Sequence, residues 1–382
     1  MESISRYRRA LEGLLGVPAT EGNVVEVLRD GVEIFPSMLE AIDAAERTVD
    51  LLTFVYWQGE IAERFARSLC DRAKAGVRCR VILDSLGARH VQNDLVEAME
   101  EAGVLLHWFR PLLPGSDPGH RTHRKVLICD EQVAFTGGIG IADEWDGSSD
   151  DGTGWRETQI RLRGPVVDGL RAAFVDDWLD ADHLLFDDHD RFPDQPQDGT
   201  TTAMVVRGES EHGWSDGALL RRALLDLAER RVRITTAYLA PDPAMIEALT
   251  RAAGRGVQVQ ILHPGPQTDK EIARLAAEHV YDDLLEGGVE LHEFQPTMLH
   301  AKVLTVDGLL SVVGSSNLNT RSLSHDEEVD VVMFDEQITA QLDAHTDQDL
   351  ERCEPVDPEN WNDRSPARWA PQKLVGLIQH WT

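Results

Sequence analysis

Two long stretches of the chain carry the same succession of apolar and polar positions. "VDLLTFVYWQGEIAERFARSLCDRAKAGVRCRVILD" begins at Val49 and "VRITTAYLAPDPAMIEALTRAAGRGVQVQILHP" at Val232. Each opens on an apolar, β-rich run and passes into an amphipathic helical run. Each then reaches a Gly-Val step (Gly76-Val77, Gly256-Val257) and a second apolar run. The likeness continues in "EAGVLLHWFRP" from Glu101 and "EGGVELHEFQP" from Glu286. Strands alternating with helical patterns predict βαβ units, and the recurrence predicts a duplicated architecture. The expected fold class is α/β, with two pseudo-symmetric halves, each a mixed, mostly parallel sheet flanked by helices. The halves are placed at 21–180 and 201–352, joined by an Asp- and Pro-rich segment at 181–200 that reads as a solvated linker. Before them, residues 1–20 put Ile4, Tyr7, Leu11, Leu14 and Leu15 on one helical face, the pattern of a helix packed on the body. After them, 353–382 reads as a tail whose helix closes the second half.

A second pattern lies inside the repeat. Only five of the 37 basic residues are lysines (Lys74, Lys125, Lys270, Lys302 and Lys373), yet two of the five occupy matching places. "RTHRKVLICDEQVAFTGGIG" from Arg121 and "MLHAKVLTVDGLLSVVGSSN" from Met298 both read His-x-Lys-x-x-x-x-Asp. The members are His123, Lys125 and Asp130, then His300, Lys302 and Asp307. Residues i and i+2 of a strand share a face, so each imidazole projects beside its ammonium. Asp307-Gly308 signals a tight hairpin and Asp130-Glu131 a weaker one. The returning strands end in small residues, with Gly138 in one half and Ser315 and Asn317 in the other, where backbone N–H groups can approach an anion.

An imidazole, an ammonium and an anion cradle in each half suit a phosphodiester. If the halves meet about a twofold axis, one histidine attacks phosphorus and the other moves the proton of the alcohol. The lysines neutralise the non-bridging oxygens. A nucleophilic imidazole needs an acceptor on its other nitrogen, and Glu157 and Glu328 follow the two motifs at comparable distances. His90, His107, His120 and His292 lack a partner pattern and read as structural or surface groups, with His120 at the rim of the site.

Composition narrows the partners. A formal charge of −30 and a pI near 4.7 oppose long-range attraction to nucleic acid, so a nuclease stands as the second reading. No run of about 18 uncharged apolar residues predicts a membrane span, and no signal peptide is read at the N-terminus. The four cysteines have no ligand spacing, and the three that lie in apolar segments read as buried free thiols, which suits a reducing compartment. The chemistry calls for no cofactor and no metal. The expected location is cytoplasmic, peripheral at the inner face of the membrane.

The paired motifs resemble those of the phospholipase D superfamily. "HRKVLICDEQVAFTGGIGIADEW…WRETQIRLRGP" and "LHAKVLTVDGLLSVVGSSNLNTRSLSHDEEVDVV" are similar to its bacterial cardiolipin synthase branch. That resemblance implies a metal-independent phosphatidyltransferase or phospholipase acting on glycerophospholipid through a phosphohistidine. It implies His123 as nucleophile and His300 as general acid and base. It also implies that Lys125, Lys302, Ser315 and Asn317 hold the phosphate, while Asp130 and Asp307 buttress the site. Hydrolase, nuclease and catalytically silent lipid- or phosphate-binding module stay open as alternatives. Three departures stand out: Gly140 replaces the family's asparagine, His325-Asp326 replaces Leu-Asn, and the paired transmembrane helices common in that branch have no counterpart. A lipid substrate is therefore expected to be reached from a soluble or peripheral state.

Overall fold

The computed structural model describes residues 2–111, 119–180, 186–208, 215–358 and 361. One continuous sheet of 15 strands runs through both halves. From the centre outward, the first half contributes Thr20–Arg29, Thr158–Arg163, Val133–Gly137, Val126–Cys129, Thr48–Thr53, Arg78–Asp84 and Leu105–Phe109. The second half repeats that order in the opposite direction with Thr201–Gly208, Glu328–Phe334, Leu310–Gly314, Val303–Val306, Arg231–Thr235, Gln258–Pro264 and Glu290–Phe294. Cys353–Pro355 adds an antiparallel edge strand to the second half. The halves meet where Thr20–Arg29 lies antiparallel to Thr201–Gly208, with Thr20 opposite Ala203 and Asn23 opposite Thr201.

The duplicated α/β class is the one the sequence predicts, but within the large sheet parallel strand pairing is confined to the outer three strands of each half. The four strands nearest the junction are antiparallel. The reason is local. The segment after each His-x-Lys motif turns back within three residues, and a connection that short can join only antiparallel neighbours. In the first half Gln132 N donates to Cys129 O at 3.1 Å, with Asp130 and Glu131 both at positive φ. In the second half Leu309 N donates to Val306 O at 2.9 Å, with Asp307 and Gly308 in the same conformation. Glu131 adopts the left-handed region without being glycine, and its carboxylate is tied to Arg171 at 2.9 Å and to the Arg191 and Phe192 N–H groups.

The repeated Gly-Val steps are helix ends. Helix Glu60–Lys74 buries Ile61, Ala62, Phe65, Ala66 and Leu69 against the first half's core. It stops where Gly76 takes φ 92°, Val77 N donates to Arg72 O and Gly76 N to Ala73 O. Helix Pro243–Gly254 buries Met245, Ala248, Leu249 and Ala252 and ends in the same way, with Gly256 at φ 89° and Val257 N on Ala252 O. This is the left-handed cap that glycine favours. Each such helix covers one face of its half-sheet, and burying a single Phe or Leu side chain there stabilises by about 1.5–3 kcal/mol.

Helix Glu2–Leu15 packs on the second half rather than on the first, which it precedes. Tyr7 and Leu11 are buried in the second half's core, while Leu14 is half exposed. Cys70, Cys79, Cys129 and Cys353 are free, the first three buried. Among the described residues no helix is long and apolar enough to cross a membrane. The expected helix of the C-terminal tail and part of the acidic linker, 181–185, lie outside the described residues.

Candidate active site

Each motif loop crosses to the opposite half. Thr122 forms an isolated parallel bridge to Glu327, with His123 N donating to Glu327 O at 2.8 Å. Arg156 bridges to Leu299 in the same manner, with His300 N donating to Arg156 O at 2.8 Å. Buried arginines hold the crossing loops in place. Arg121 pairs with Asp84 at 3.0 Å, Arg124 with Asp177 at 2.6 Å and Arg156 with Asp349 at 2.9 Å. All six side chains lie in the interior, where such pairs fix geometry more than they add stability.

The crossing exchanges the carboxylates. His123 Nδ1 lies 3.0 Å from both oxygens of Glu328, in the second half. His300 Nδ1 lies 2.8 Å from Glu157 Oε2, in the first half. An Nδ1–H donated to an acceptor leaves the lone pair on Nε2, so each ring is held in the tautomer that can attack or accept a proton. Lys125 Nζ donates to His123 O at 2.7 Å, and Lys302 Nζ donates to His300 O. Lys302 Nζ also sits 2.9 and 3.2 Å from the two His300 ring nitrogens.

The two pairs differ in their surroundings. Ser315 donates to Glu328 Oε2 at 2.5 Å and accepts from Val329 N at 3.0 Å. Its counterpart Gly138 has no side chain to give, and a Cβ there would stand 2.6 Å from Glu157 Oε1. Glu157 instead receives Trp145 Nε1 at 3.2 Å and Thr158 N at 2.9 Å. Three aromatic rings enclose His300, with Trp145, Trp155 and Tyr238 centred 5.1, 5.7 and 6.3 Å away. His123 has Phe54 edge-on at 5.1 Å.

Electrostatics follow these contacts. Burial alone raises Glu328, but the nearby His123 and Lys125 charges and the His123 and Ser315 hydrogen bonds overcome it and hold the carboxyl at about 2. Burial raises Glu157 to about 7 despite the opposing pull of Lys302 and the Thr158 and Trp145 donors. Burial lowers His123 to about 4, against the pull of Glu328. His300 is lowered well below the usual histidine value by burial, then by Lys302 and Lys125. Burial brings Lys125 down to about 8 and Lys302 to about 7, each partly held up by the glutamates. Near neutrality Glu328 is therefore a carboxylate beside a neutral imidazole, whereas burial shifts Glu157 toward its protonated form.

Both histidines border a cavity of about 300 Å³ between the halves, together with Lys125 and Asn317. Asn317 Nδ2 contacts Ser322 Oγ at 3.5 Å, and its Oδ1 is buried without a hydrogen-bond partner among the described residues. Ser315 and Gly138 do not border the cavity: the first braces Glu328 and the second makes room for Glu157. Asp130 and Asp307 stand at the far ends of their strands. Asp130 accepts from Glu46, Arg47 and Thr48 N–H groups, and Asp307 from Glu229, Arg230 and Arg231. Tyr7 Oη adds a fourth donor to Asp307 at 2.7 Å. Each aspartate thus staples its hairpin to the neighbouring strand, away from the imidazoles.

Several bordering groups carry no motif in the sequence. Phe54, Trp57, Trp145, Trp155 and Tyr238 make the cavity wall aromatic, and His90 and Lys270 stand on it as well. Lys270 had one available signal, its rarity in a chain of five lysines; His90 had none. The missing asparagine at Gly140 also has a cause, because a Cβ there would lie 2.8 Å from Val55 and 3.0 Å from the Trp145 ring. The His120 and His325 rings lie tilted to one another with centroids 5.9 Å apart, with His120 Nδ1 2.9 Å from His325 O, and neither borders the cavity. Among the described residues no group of three or more His, Cys, Asp or Glu side chains is arranged to hold a metal ion.

A twofold-related sheet that brings both histidines and Lys125 to one interfacial cavity, with Lys302 against the His300 ring outside the cavity lining, defines the class of phospholipase D-like proteins. The chain belongs to the family described as "Cardiolipin synthase, PLD-like domain", whose model matches residues 38–145 and again 222–350. A cardiolipin synthase of Geobacillus kaustophilus is 31% identical over 83% of the chain, which spans 64% of that protein's length. Cardiolipin synthase A of Pseudomonas aeruginosa is 30% identical over 94% of the chain, which spans 73% of it. The chain thus spans roughly two thirds to three quarters of these relatives. The crystal structure of phosphatidylserine synthase from Haemophilus influenzae superposes with a TM-score of 0.71 over 99% of the chain at 13% identity, a likeness of fold.

Proposed function

We propose that the protein is a phosphatidyltransferase that joins two phosphatidylglycerol molecules into cardiolipin and releases glycerol. His123 Nε2 attacks the phosphorus of the first lipid, and the P–O bond to the glycerol head group breaks. The departing alkoxide takes a proton from His300. A hydroxyl of the second phosphatidylglycerol then gives its proton to His300 and displaces His123, restoring both imidazoles. Lys125 and Lys302 offset the charge on the non-bridging oxygens, with Asn317 as a neutral contact.

The observation that carries this reading is that both imidazoles, each backed by a glutamate of the opposite half, meet at one cavity. His123 leans on a carboxylate held at about 2, which favours attack by its free nitrogen. His300 leans on a carboxyl at about 7 that can keep a proton ready near neutrality. The charges of Lys302 and Lys125 help to depress His300. A bound phosphodiester anion offsets those charges and lets the imidazole take up the proton it must deliver. The cavity volume of about 300 Å³ supports entry of a head group while the acyl chains stay outside.

The test is to incubate the purified protein with detergent-dispersed phosphatidylglycerol, beside His123→Ala, and to identify products by mass spectrometry. Cardiolipin with glycerol is expected from the wild-type protein alone. Phosphatidic acid in its place would make the enzyme a hydrolase, and unchanged lipid would remove the lipid reading.

A further inference from the structure

One buried acid beside the site has no part in the mechanism above. Asp326 is 5% exposed and borders the same cavity. Its Oδ2 accepts from Arg321 Nε at 2.9 Å, while its Oδ1 is buried without a hydrogen-bond partner among the described residues. The backbone fixes this placement from both sides. His325 N and Asp326 N both donate to Arg321 O, at 2.8 and 3.0 Å, turning the chain so that the aspartate meets the arginine. Glu327 N then donates to Arg121 O at 2.9 Å, and Glu327 O receives His123 N. Asp326 thus sits in the bend two residues before Glu328, which begins the following strand and carries His123.

The charges around Asp326 are mixed. Arg321 and Lys125 attract its anion; Glu328 and Asp84 oppose it, the latter itself paired with Arg121. Burial is the largest influence and raises the carboxyl; Arg321 pulls against it, Glu328 adds to it, and the result is about 7. Because Oδ2 is taken by Arg321, the proton of the acid form falls on Oδ1. That hydroxyl would be a donor with nothing inside the protein to receive it. A buried donor in that condition, beside a cavity built for an anion, indicates a ligand that accepts.

We propose that Asp326 is a substrate-contacting residue whose protonated carboxyl donates from Oδ1 to a non-bridging oxygen of the bound phosphodiester. The inference rests on the reading of this cavity as a phosphodiester site and deepens it. Beside two lysines the acid supplies a hydrogen bond that adds no charge to a cavity already crowded with cations. The incoming anion favours the protonated form further. Ionisation puts a second negative charge beside the phosphate, so binding is full below about pH 7 and weakens as pH rises through it.

The test is calorimetric binding of glycerophosphoglycerol, the deacylated head group, which stays a monoanion across the range. Wild type, Asp326→Asn and Asp326→Ala are compared at pH 6 and pH 8, with thermal unfolding as the check on folding. In Asp326→Asn the amide oxygen faces Arg321, which leaves an N–H donor that does not titrate where Oδ1–H stood. Wild-type affinity is expected to fall about tenfold more than that of Asp326→Asn between the two pH values. Asp326→Ala is expected to weaken binding at pH 6, with Asp326→Asn recovering part of the loss. Parallel pH dependence in wild type and Asp326→Asn would overturn the assignment, as would Asp326→Asn binding as poorly as Asp326→Ala. In both cases the phosphodiester site itself would stand. No affinity in any of the three proteins would remove the phosphodiester reading and this inference with it.

Discussion

His123 and His300 occupy the same place in two copies of one plan, yet their surroundings have diverged. Around His123 the supporting carboxylate has a serine hydroxyl and an ionic partner, and one phenyl ring stands beside the imidazole. Around His300 the serine has become Gly138, a tryptophan N–H has taken its place, and three aromatic rings close in. Burial therefore dominates in one half-site and charge compensation in the other. The lesson is that a duplicated motif need not give duplicated chemistry. Burial raises both carboxyls; at Glu328 the His123 and Lys125 charges with the His123 and Ser315 hydrogen bonds outweigh it, whereas at Glu157 Lys302 and the Thr158 and Trp145 donors do not, and Gly138 offers no hydroxyl to add to them.

Replacing the two carboxylates breaks the comparison most directly and with the largest effect. Glu328→Gln is expected to lower kcat by about 10²–10⁴-fold on every diester, because His123 loses the acceptor that fixes its tautomer. Glu157→Gln is expected to lose as much on phosphatidylglycerol and far less on a p-nitrophenyl ester, whose leaving group needs no proton. Steady-state rates on both substrates check this, and equal losses on both for Glu157→Gln would erase the distinction between the pairs.

Ser315→Ala sharpens the comparison with a smaller change. Glu328 has its folded pKa depressed, so the support it gives is present at neutral pH and lost as pH falls through the folded value. Removing the hydroxyl donor raises that value. The acid limb of the rate profile is expected to move up by about one pH unit, a difference of roughly 1.4 kcal/mol, with about a tenfold loss at the acid end. A pH–rate profile identical to wild type would mean that Ser315 only packs.

The two hairpin aspartates offer the mildest test. Asp130 and Asp307 each take three backbone N–H groups, but only Asp307 also receives Tyr7. Tyr7→Phe is expected to lower stability by about 1 kcal/mol in a denaturant titration and to leave kcat within error. A fall in kcat with unchanged stability would mean that Asp307 communicates with His300.

The sequence made the His-Lys pairs legible because they are local: spacing on a strand decides their common face. The Gly-Val helix ends and the hairpin at Asp307-Gly308 were legible for the same reason. The share of parallel pairing was overestimated because helical periodicity announces crossovers loudly, while the three-residue hairpins that set the central strands antiparallel are short. Glu157 and Glu328 could be nominated from spacing, but their exchange between halves depends on the crossing at Thr122–Glu327 and Arg156–Leu299, which no local pattern encodes. Ser315 carried the family signature of a phosphate contact, and its hydroxyl is directed to Glu328 instead. The aromatic wall was hidden because Trp57, Trp145, Trp155 and Tyr238 come from three distant loops, and tryptophan in a loop reads equally well as packing.

In the proposed reaction His123 attacks and His300 moves the proton. The direct measurement uses the phosphatidyl ester of p-nitrophenol with His300→Ala and His123→Ala, followed by alkaline quench and peptide mass spectrometry. His300→Ala is expected to release one equivalent of p-nitrophenolate and stop, with a phosphatidyl group on His123, while His123→Ala gives no burst. A burst from His123→Ala with the adduct on His300 would contradict it.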